Sequence, residues 1–503
     1  MTPPTRPARN GESCLNEPVP DFRGHAAPRA TTLDTVGQSE MTTSYSNHAR
    51  PGTLARVVAR FPRLLSVLAV LSLCALPAQA APLLLSNARI IDPATRQDYI
   101  GFVLAEGARV VSVTNTRPLD YHDSEVDLTG KFLIPGLVDA HVHAIGNAAP
   151  VGKPGEEFGP EETARRMLYA GVTAYLDLAH DQKPMFQARQ RRREGAFLGA
   201  DIYAAGPVFI GIGPRDRGSA IVVETPAEAR RELDGLSART PDVVKLIFDW
   251  TREPRTMSAD VMRALIEHAR ELGLKTVVHI GTWENARLAA EAGATAITHL
   301  HDLGIIPDDV AATMAAKHIF SIPTMTVQQD FLNILENHHL LDSPLLNAIV
   351  SHDVLASYRA LDPVKYAECP TSHWQREGRK YYGASLARLI HAGVRIVAGS
   401  DTGNLGTFQG YSLHRELSLL QQSGLSNWDA LAAGTTQAYA LLDLNMGFKT
   451  NAEATFVVLS ASPLVAVTNT ERIERILFHG AWVDRDALRN ARNFARTAEP
   501  RLN

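Results

Sequence analysis

Apolar β-type runs alternate with helical stretches from Pro135 onward, and this alternation limits the possible folds more than any other feature of the chain. The runs are PGLVDAHVHA (135–144), VTAYLDL (172–178), ADIYAAGPVFI (200–210), VVKLIF (243–248), KTVVHI (275–280), TAITHL (295–300), FSIPTM (320–325) and VRIVAGSDT (394–402). The helical stretch TPAEARREL begins with Thr225 as the predicted N-cap, Pro226 at N1 and Glu228 completing a capping box. Eight strands that alternate with helices predict a (β/α)8 TIM barrel, whose chemistry lies at the C-terminal ends of the strands.

Short β-rich runs flank the alternating region on both sides. Residues 82–134 carry LLLSNARIIDPATRQDYIGFVLAEGARVVSV, and residues 446–490 carry AEATFVVLS and RIERILFHGAWV. We expect these two segments to form one small discontinuous β-sandwich domain beside a barrel of residues 135–445, which makes the fold class α/β. Residues 327–380 are a longer insertion before the last strand, and they suit either a lid or specificity element or a surface excursion with solvated histidines.

The first part of the chain differs from the rest in composition. Residues 1–40 are rich in Pro, Thr and charge, which predicts a disordered extension or a wrongly assigned start. Residues 41–80 carry several arginines, the apolar run LLSVLAVLSLCAL and then PAQA, the pattern of a secretory signal peptide cleaved after Ala80. The expected product is secreted or periplasmic and has no membrane partner after cleavage. A lipoprotein anchored at Cys74 is the less favoured alternative, because Leu73 is larger than the residue that usually precedes such a cysteine.

Charge and composition restrict the partners. The formal net charge is −4 and 45% of the residues are hydrophobic, which is ordinary for an enzyme with one large domain and a companion. No basic block with interleaved aromatic residues occurs, so nucleic acid is not an expected partner. The expected partner is a small-molecule substrate, and the sequence is compatible with a homo-oligomer.

The opening strand holds polar residues inside an almost wholly apolar stretch. Asp139, His141 and His143 stand at alternate positions, and side chains two apart on a strand point to the same face. A single histidine there would usually be a satisfied core residue. Two histidines on one face would each need an interior partner, whereas one metal ion satisfies both rings in their neutral form. From this strand alone, a metal site and a core pair are both open.

Other predicted strands add polar residues at similar positions. They contribute Lys245 from strand 4, His279 from strand 5, His299 from strand 6 and Asp401 from strand 8. A lysine between two apolar neighbours is costly to bury as an ammonium, because desolvation disfavours its charge. Another group in the site must therefore offset the cost of burying the Lys245 side chain.

With these residues in place, the sequence resembles the amidohydrolase superfamily over almost all of residues 81–503. The resemblance lies in IPGLVDAHVH, VVKLIF, TVVHI, AITHL, VAGSDTG, GLSNWDALAAGTTQAYALL and HGAWV. It is greatest to the branch called imidazolonepropionase-like, which includes prolidase-like and other dipeptidases. In that branch the strand-4 lysine reacts with carbon dioxide, and the resulting carbamate bridges two metal ions. The resemblance implies one metal on His141, His143 and Asp401, a second on His279 and His299, and Lys245 as the carbamate bridge.

Elementary chemistry agrees with this implied ligand set. Only a neutral amine attacks carbon dioxide, and burial favours the neutral amine of Lys245, although a salt bridge to a buried acid is the alternative. Two divalent ions, zinc by default with manganese, cobalt or iron as alternatives, would share a nucleophilic hydroxide and polarise a substrate carbonyl. Asp401 would accept the proton of that hydroxide and pass it to the leaving group.

The implied reaction is hydrolysis of an amide C–N bond, in a dipeptide or an N-acyl amino acid. A lactonase or cyclic-amide hydrolase on the same centre is the alternative, and a mononuclear deaminase or a catalytically inactive scaffold is less favoured. Superfamily deaminases commonly have an acid three residues after the strand-5 histidine, but Thr282 stands there in this chain. Inactive relatives usually lose metal ligands, whereas this chain keeps the whole set.

Loops after the strands are expected to hold the substrate. The loop GIGPRDRGSA carries Arg215 and Arg217, and an arginine can clamp a substrate carboxylate in bidentate geometry. Solvated loop charge is the alternative for each arginine. His301, just past the strand-6 ligand, is a further candidate for contact with the substrate. The chain lacks the Gly-Gly-His stretch that many relatives have in the strand-3 loop, so the family's substrate preferences do not transfer directly.

Overall fold

The structure is a computed structural model, and it describes residues 81–118, 124–147, 150–151, 157–179, 182–212, 220–251, 257–300, 304–367 and 369–491. The predicted N-terminal extension (1–40) and signal peptide (41–80) lie outside the described residues. Within the described ranges, no helix combines the length and the apolar character needed to cross a membrane.

Strands and helices alternate through most of the described chain. The strands are β1 (Leu83–Asp92), β2 (Gln97–Glu106), β3 (Arg109–Thr114), β4 (Ser124–Asp127), β5 (Phe132–Pro135), β6 (Leu137–Val142), β7 (Gly146–Asn147), β8 (Glu157–Phe158), β9 (Val172–Asp177), β10 (Asp201–Ala204), β11 (Phe209–Ile210), β12 (Ile221–Val222), β13 (Val244–Phe248), β14 (Thr276–Ile280), β15 (Ala296–Thr298), β16 (Phe320–Ile322), β17 (Arg395–Ile396), β18 (Phe456–Leu459), β19 (Ile473–Phe478) and β20 (Ala481–Trp482). The α-helices are α1 (Pro160–Tyr169), α2 (Gln182–Arg193), α3 (Pro226–Ser237), α4 (Ala259–Glu271), α5 (Trp283–Ala292), α6 (Asp308–Ala316), α7 (Met325–Glu336), α8 (Pro344–Ile349), α9 (His352–Arg359), α10 (Pro363–Ala367), α11 (Pro370–His391), α12 (Tyr411–Gln422), α13 (Asn427–Ala433), α14 (Thr436–Leu442) and α15 (Arg485–Ala491). Short 3-10 helices lie at His338–Asp342 and Val467–Glu471.

One eight-stranded sheet combines strands from the two flanking segments. Its order is β20-β19-β18-β5-β1-β2-β3, and β4 pairs with β1. The two segments meet where β5 pairs antiparallel with β18, with Phe456 opposite Pro135. Leu85, Leu133 and Leu477 are fully buried in the apolar cluster of this sheet. The segments therefore do share one sheet, while their separation as a β-sandwich domain stays a prediction.

The strands between the two halves of that sheet pair in parallel. One sheet has the order β10-β9-β6, and a second has the order β12-β11-β13-β14-β15-β16-β17. Backbone bonds link the two sheets at both sides: Ala140 N donates to Ala398 O at 3.0 Å, and Asp242 N donates to Ala204 O at 3.0 Å. The architecture is mixed α/β with parallel strands, of the TIM-barrel type. Complete closure of the predicted eight-stranded barrel stays a prediction.

Each of the predicted β runs contains a strand, and every strand is shorter than its run. The run 200–210 divides into β10, which pairs with β9, and β11, which pairs with β13. Gly206 and Pro207 separate them, because Gly206 has a φ of +73° and a proline has no N–H for the ladder. In the run 320–325, β16 ends before Pro323 and the helix α7 follows. In the last run, only Arg395–Ile396 forms a strand.

The predicted start of the helix α3 is confirmed in detail. Thr225 is the N-cap, Pro226 follows at N1, and Thr225 Oγ1 accepts a hydrogen bond from Glu228 N at 3.3 Å. Thr225 N in turn donates to Glu228 Oε2 at 3.2 Å. The capping box therefore satisfies amides that the first helical turn leaves without intrahelical partners.

The insertion 327–380 is packed helical structure rather than a solvated excursion. It comprises most of α7, the helices α8 to α10 and the first half of α11. Leu341 and Ile349 are fully buried in the main apolar core. Tyr358 OH accepts a hydrogen bond from Gly406 N at 3.0 Å. The insertion therefore supports the segment that follows Asp401, and its predicted role as a lid or specificity element stays a prediction.

An ion-pair group connects the eight-stranded sheet to the parallel strands. His479, between β19 and β20, has its Nε2 3.0 Å from Asp201 Oδ2 and its Nδ1 3.0 Å from Glu453 Oε1. Arg192 also approaches Asp201, at 3.2 Å. Burial alone would lower the pKa of His479, but the hydrogen bonds to Asp201 and Glu453 outweigh it and raise the pKa to about 9.

We expect His479→Gln to lower stability in a pH-dependent manner. The folded-state pKa lies above the ordinary value of 6.5, so the imidazolium contributes its full stabilisation below pH 6.5 and loses it as the pH rises through about 9. Thermal unfolding should therefore show the largest difference in Tm from the wild type below pH 6.5. His339→Gln is the control, because the paired imidazole of His339 is 90% exposed. A difference in Tm that is constant across this pH range would contradict the prediction.

Candidate metal centre

Four of the predicted ligands form one contiguous group around Asp401. Oδ1 of Asp401 lies 3.3 Å from His141 Nε2 and 2.9 Å from His143 Nε2, and its Oδ2 lies 3.7 Å from His299 Nδ1. The rings of His279 and His299 have their centroids 4.5 Å apart. Ligand atoms of His141, His299 and Asp401 all lie within 4.8 Å of one another, which is close enough to hold one metal ion.

The strands explain why these side chains meet. His141 lies in β6 and His279 in β14, while His299 follows β15 and Asp401 follows the short strand β17. The C-terminal ends of parallel strands lie at one face of such a fold, and the catalytic residues of TIM-barrel enzymes come from those ends. Lys245 lies in β13, is only 3% exposed and interacts electrostatically with both His141 and Asp401.

Burial and charge favour the protonation states that metal ligands need. Desolvation lowers the pKa of His141 well below its ordinary value, so the imidazole is neutral. Burial alone would raise the pKa of Asp401, but His141, His143 and Lys245 outweigh it and hold the pKa far below the ordinary value. Neutral imidazoles and an ionised carboxylate are the forms that bind divalent metal ions. The donor set therefore fits such ions.

Two further residues, which the sequence did not indicate, orient histidine rings by hydrogen bonds. Thr298 Oγ1 lies 2.8 Å from His141 Nδ1, and Thr324 Oγ1 lies 2.8 Å from His299 Nδ1. Asp249 Oδ2 lies 3.8 Å from His279 Nε2, which is longer than a hydrogen bond. A hydrogen bond at one ring nitrogen fixes the tautomer and leaves the other nitrogen for a metal.

Asp139 does not join the histidine group, although its position in the strand predicted a shared face. Its carboxyl accepts hydrogen bonds from Ser400 N at 2.9 Å and Ser400 Oγ at 2.6 Å, and from His141 N at 3.3 Å. Burial raises its pKa to about 7, against the opposing effect of the Ser400 bonds. Asp139 therefore connects the first parallel strand to the segment that carries Asp401.

Backbone conformation at two ligands is unusual. His299 has a φ of +80° and Asp401 a φ of +54°, a region that non-glycine residues seldom adopt. Gly403 has a φ of +107°, and a Cβ there would lie 2.8 Å from the backbone oxygen of His143. Such strained positions cluster at functional sites, where the surrounding structure holds them.

The predicted substrate contacts Arg215, Arg217 and His301 lie outside the described residues. Their predicted roles stay predictions.

The amidohydrolase family profile matches residues 132–483. A dihydroorotase of Ehrlichia canis is 24% identical over 268 residues, which cover 50% of this chain and 54% of that protein, so the chain spans about half of its length. A 5'-deoxyadenosine deaminase of Methanothermobacter thermautotrophicus is 21% identical over 401 residues, which cover 74% of this chain and 81% of the relative.

Solved structures show the same fold at low sequence identity. A Xaa-Pro dipeptidase with bound methionine superposes with a TM-score of 0.64 at 16% identity, over 80% of this chain and 100% of that chain. A molinate hydrolase superposes with a TM-score of 0.64 at 19% identity, over 84% of this chain and 99% of that chain.

Proposed function

Because the chain belongs to the amidohydrolase family, we propose that it hydrolyses the amide bond of a dipeptide or an N-acyl amino acid. Its class, a metal-dependent hydrolase acting on carbon–nitrogen bonds, follows from the family match and its hydrolase relatives. The observation that carries the proposal is the group of buried histidines around Asp401, with Lys245 beside it in β13.

The proposed centre holds two divalent ions, with zinc as the first choice. His141, His143 and Asp401 would hold one ion, and His279 and His299 the other. Lys245, as a carbamate formed with carbon dioxide, would join them. Nitrogen and oxygen donors in neutral and anionic forms support this assignment. An anionic carbamate between two cations would also remove the cost of burying a lysine ammonium.

Bound ions of this kind activate water as a nucleophile and polarise the carbonyl that it attacks. Asp401 is the residue that we assign to proton transfer. Its Oδ1 contacts His141, His143 and Asn404 Nδ2, which donates at 3.1 Å, so Oδ2 is the oxygen with more freedom to accept a proton. Asp401 takes the proton of the attacking water as the C–O bond forms, and it returns that proton to the nitrogen as the C–N bond breaks.

The choice of substrate class rests on the structural neighbours. A Xaa-Pro dipeptidase is among them, and a free carboxylate on the substrate would suit the predicted arginine clamp. Cyclic-amide or lactone hydrolysis on the same centre is the second candidate, and the dihydroorotase match is the observation that favours it. The 5'-deoxyadenosine deaminase match keeps a deaminase as a competitor to be tested.

A hydrolysis screen on residues 81–503, loaded with zinc and bicarbonate, tests the proposal. The panel comprises dipeptides, N-acyl amino acids, cyclic amides, lactones and aminopurines. Cleavage confined to amides with a free carboxylate would support a dipeptidase or acylase. Cleavage of lactones or cyclic amides alone would replace that substrate class and keep the metal centre. Metal analysis separates the remaining cases: about two ions per chain supports the hydrolase, about one supports a deaminase-like site, and none supports an inactive scaffold.

We also propose that residues 41–80 direct export, with release of the chain after Ala80. The basic stretch, the apolar run and the small residues before the cleavage site support this. Mass spectrometry of protein recovered from the periplasm or the medium should show Ala81 as the N-terminal residue. Retention of the full chain in the cytoplasm would contradict export.

A further inference from the structure

Glu416 is fully buried, and the proposed mechanism does not use it. From the helix α12, its carboxyl group reaches the first turn of α7. Oε1 accepts a hydrogen bond from Met325 N at 3.0 Å, and Oε2 accepts hydrogen bonds from Thr326 N at 2.7 Å and Thr326 Oγ1 at 2.7 Å.

The N-cap of α7 does not cap its own helix. Thr324 occupies that position, and a threonine there usually accepts a hydrogen bond from an amide of the first turn. In this structure the Thr324 side chain makes no capping bond. Its Oγ1 lies instead 2.8 Å from His299 Nδ1. Glu416 therefore supplies from another helix the acceptors that the N-cap would normally provide.

Thr324 is also held in an unfavourable conformation. Its φ of +51° lies in the left-handed region, which is a genuine outlier for a β-branched residue. The side chain is fully buried. Such a conformation persists only where neighbouring contacts fix it, and the hydrogen bonds of Glu416 to the next two residues fix the backbone on one side.

We propose that Glu416 is a positioning residue of the metal centre: by binding the amides at the start of α7, it leaves the Thr324 hydroxyl to orient the imidazole of His299. The inference rests on the proposed role of His299 as a metal ligand. It assigns to Glu416 an effect on metal affinity that a residue serving only to pack α12 against α7 would not have.

A second contact between the same helices separates this role from simple docking. Arg415 binds Asp330 through two hydrogen bonds of 2.9 Å, and both side chains are largely buried. That pair holds α12 against α7 when Glu416 is changed. Glu416→Gln keeps the volume of the side chain and one acceptor, but it replaces the other acceptor by an NH2 group that faces an amide donor.

The test measures binding of Zn2+ and Co2+ to the purified chain by competition with a chromophoric chelator, together with the visible spectrum of the cobalt form. We expect Glu416→Gln to weaken the binding of one ion by about 10–100-fold and to change the cobalt spectrum. Thr324→Val should have the same effect, and Thr324→Ser should restore wild-type affinity. The double variant Glu416→Gln/Thr324→Val should be no weaker than either single variant, because both act through one hydrogen bond.

Gln375→Leu is the matched control. Gln375 is buried in α11 and also braces α7, with Oε1 accepting from Leu332 N at 2.9 Å and Nε2 donating to Val327 O at 2.9 Å, whereas the amides of Met325 and Thr326 donate to Glu416. We expect this variant to lower Tm without changing metal affinity. Should Glu416→Gln not fold, Glu416→Asp is measured by the same criteria.

The outcomes distinguish this inference from the proposed function. If the wild type binds two ions and Glu416→Gln binds them as tightly, Glu416 is only structural and the inference is overturned. Additive losses in the double variant would also overturn it, because they would show two independent effects. If the wild type binds no metal, the proposed centre fails first and the positioning role falls with it.

Discussion

Lys245→Ala is expected to bind one metal ion fewer than the wild type and to lose more than about 100-fold in kcat/KM. Loss of a residue that only supports a metal ligand lowers metal affinity or activity by about 10–100-fold. We expect a larger loss here because Lys245 is assigned to the bridge itself. A short carboxylic acid such as acetate or propionate would supply an anionic oxygen pair in place of the carbamate. We therefore expect partial recovery of activity and of the second ion when such an acid is added. Metal analysis and steady-state kinetics measure both effects.

Lys275→Ala is the matched control for this variant. Lys275 directly precedes β14, and its Nζ lies 2.7 Å from Leu441 O and 2.6 Å from Asp443 Oδ2. It is thus a paired lysine of a neighbouring strand that takes no part in the proposed centre. We expect it to keep both ions and the wild-type kcat/KM. Full activity and two tightly bound ions in Lys245→Ala would remove the carbamate from the proposal, while the histidine ligands could stand.

Much of the fold follows from patterns that are local in the sequence. The period of the apolar residues and the turn residues around them predict strands such as β9 and β13, and the capping box predicts the start of α3. A break in a strand at a proline is harder to predict when the residues on both sides are apolar. Gly206 and Pro207 divide the third run because they change the backbone without changing its apolar character.

The sequence indicates the candidate ligands because each is a polar residue in or next to an apolar strand. His141, His279 and His299 satisfy that rule, and parallel strands then bring them to one face. Thr298 and Thr324 do not stand out in this way, since a threonine is ordinary in a strand or before a helix. Their contribution is a hydrogen bond to a ring nitrogen, and the contact between Thr298 and His141 joins positions 157 residues apart.

Glu416 is even harder to recognise from the sequence than the two threonines. It lies in a helix with polar and apolar residues, and its partner Met325 is 91 positions away in the sequence. A buried carboxyl group can be recognised only when the surrounding helices are in place. Asp139 is the converse case, because its position in the strand predicted a face shared with His141, whereas its carboxyl accepts hydrogen bonds from Ser400.

Asp401→Asn is expected to lower kcat by about 10²–10⁴-fold and to change KM little. The amide has nearly the shape of the carboxylate and can still accept the hydrogen bond that Asn404 Nδ2 now makes to Oδ1. It cannot accept the proton of the attacking water and return it to the leaving nitrogen, and positioned proton transfer contributes about 10²–10⁴-fold in enzymes. A loss confined to kcat identifies an interaction that is used in the transition state rather than in substrate binding.

Two comparison variants show whether that loss comes from proton transfer. Asp242→Asn changes a carboxyl group just before β13, where Asp242 pairs with Arg189 at 2.5 Å, and it should keep the wild-type kcat. Asn404→Ala keeps the carboxylate but removes the amide that orients it, so its kcat should fall by less than that of Asp401→Asn. If Asp401→Asn loses one ion and kcat together, Asp401 acts mainly as a ligand. If Asp401→Asn keeps both ions and still shows the large loss of kcat, the proton transfer is assigned to the Asp401 carboxylate.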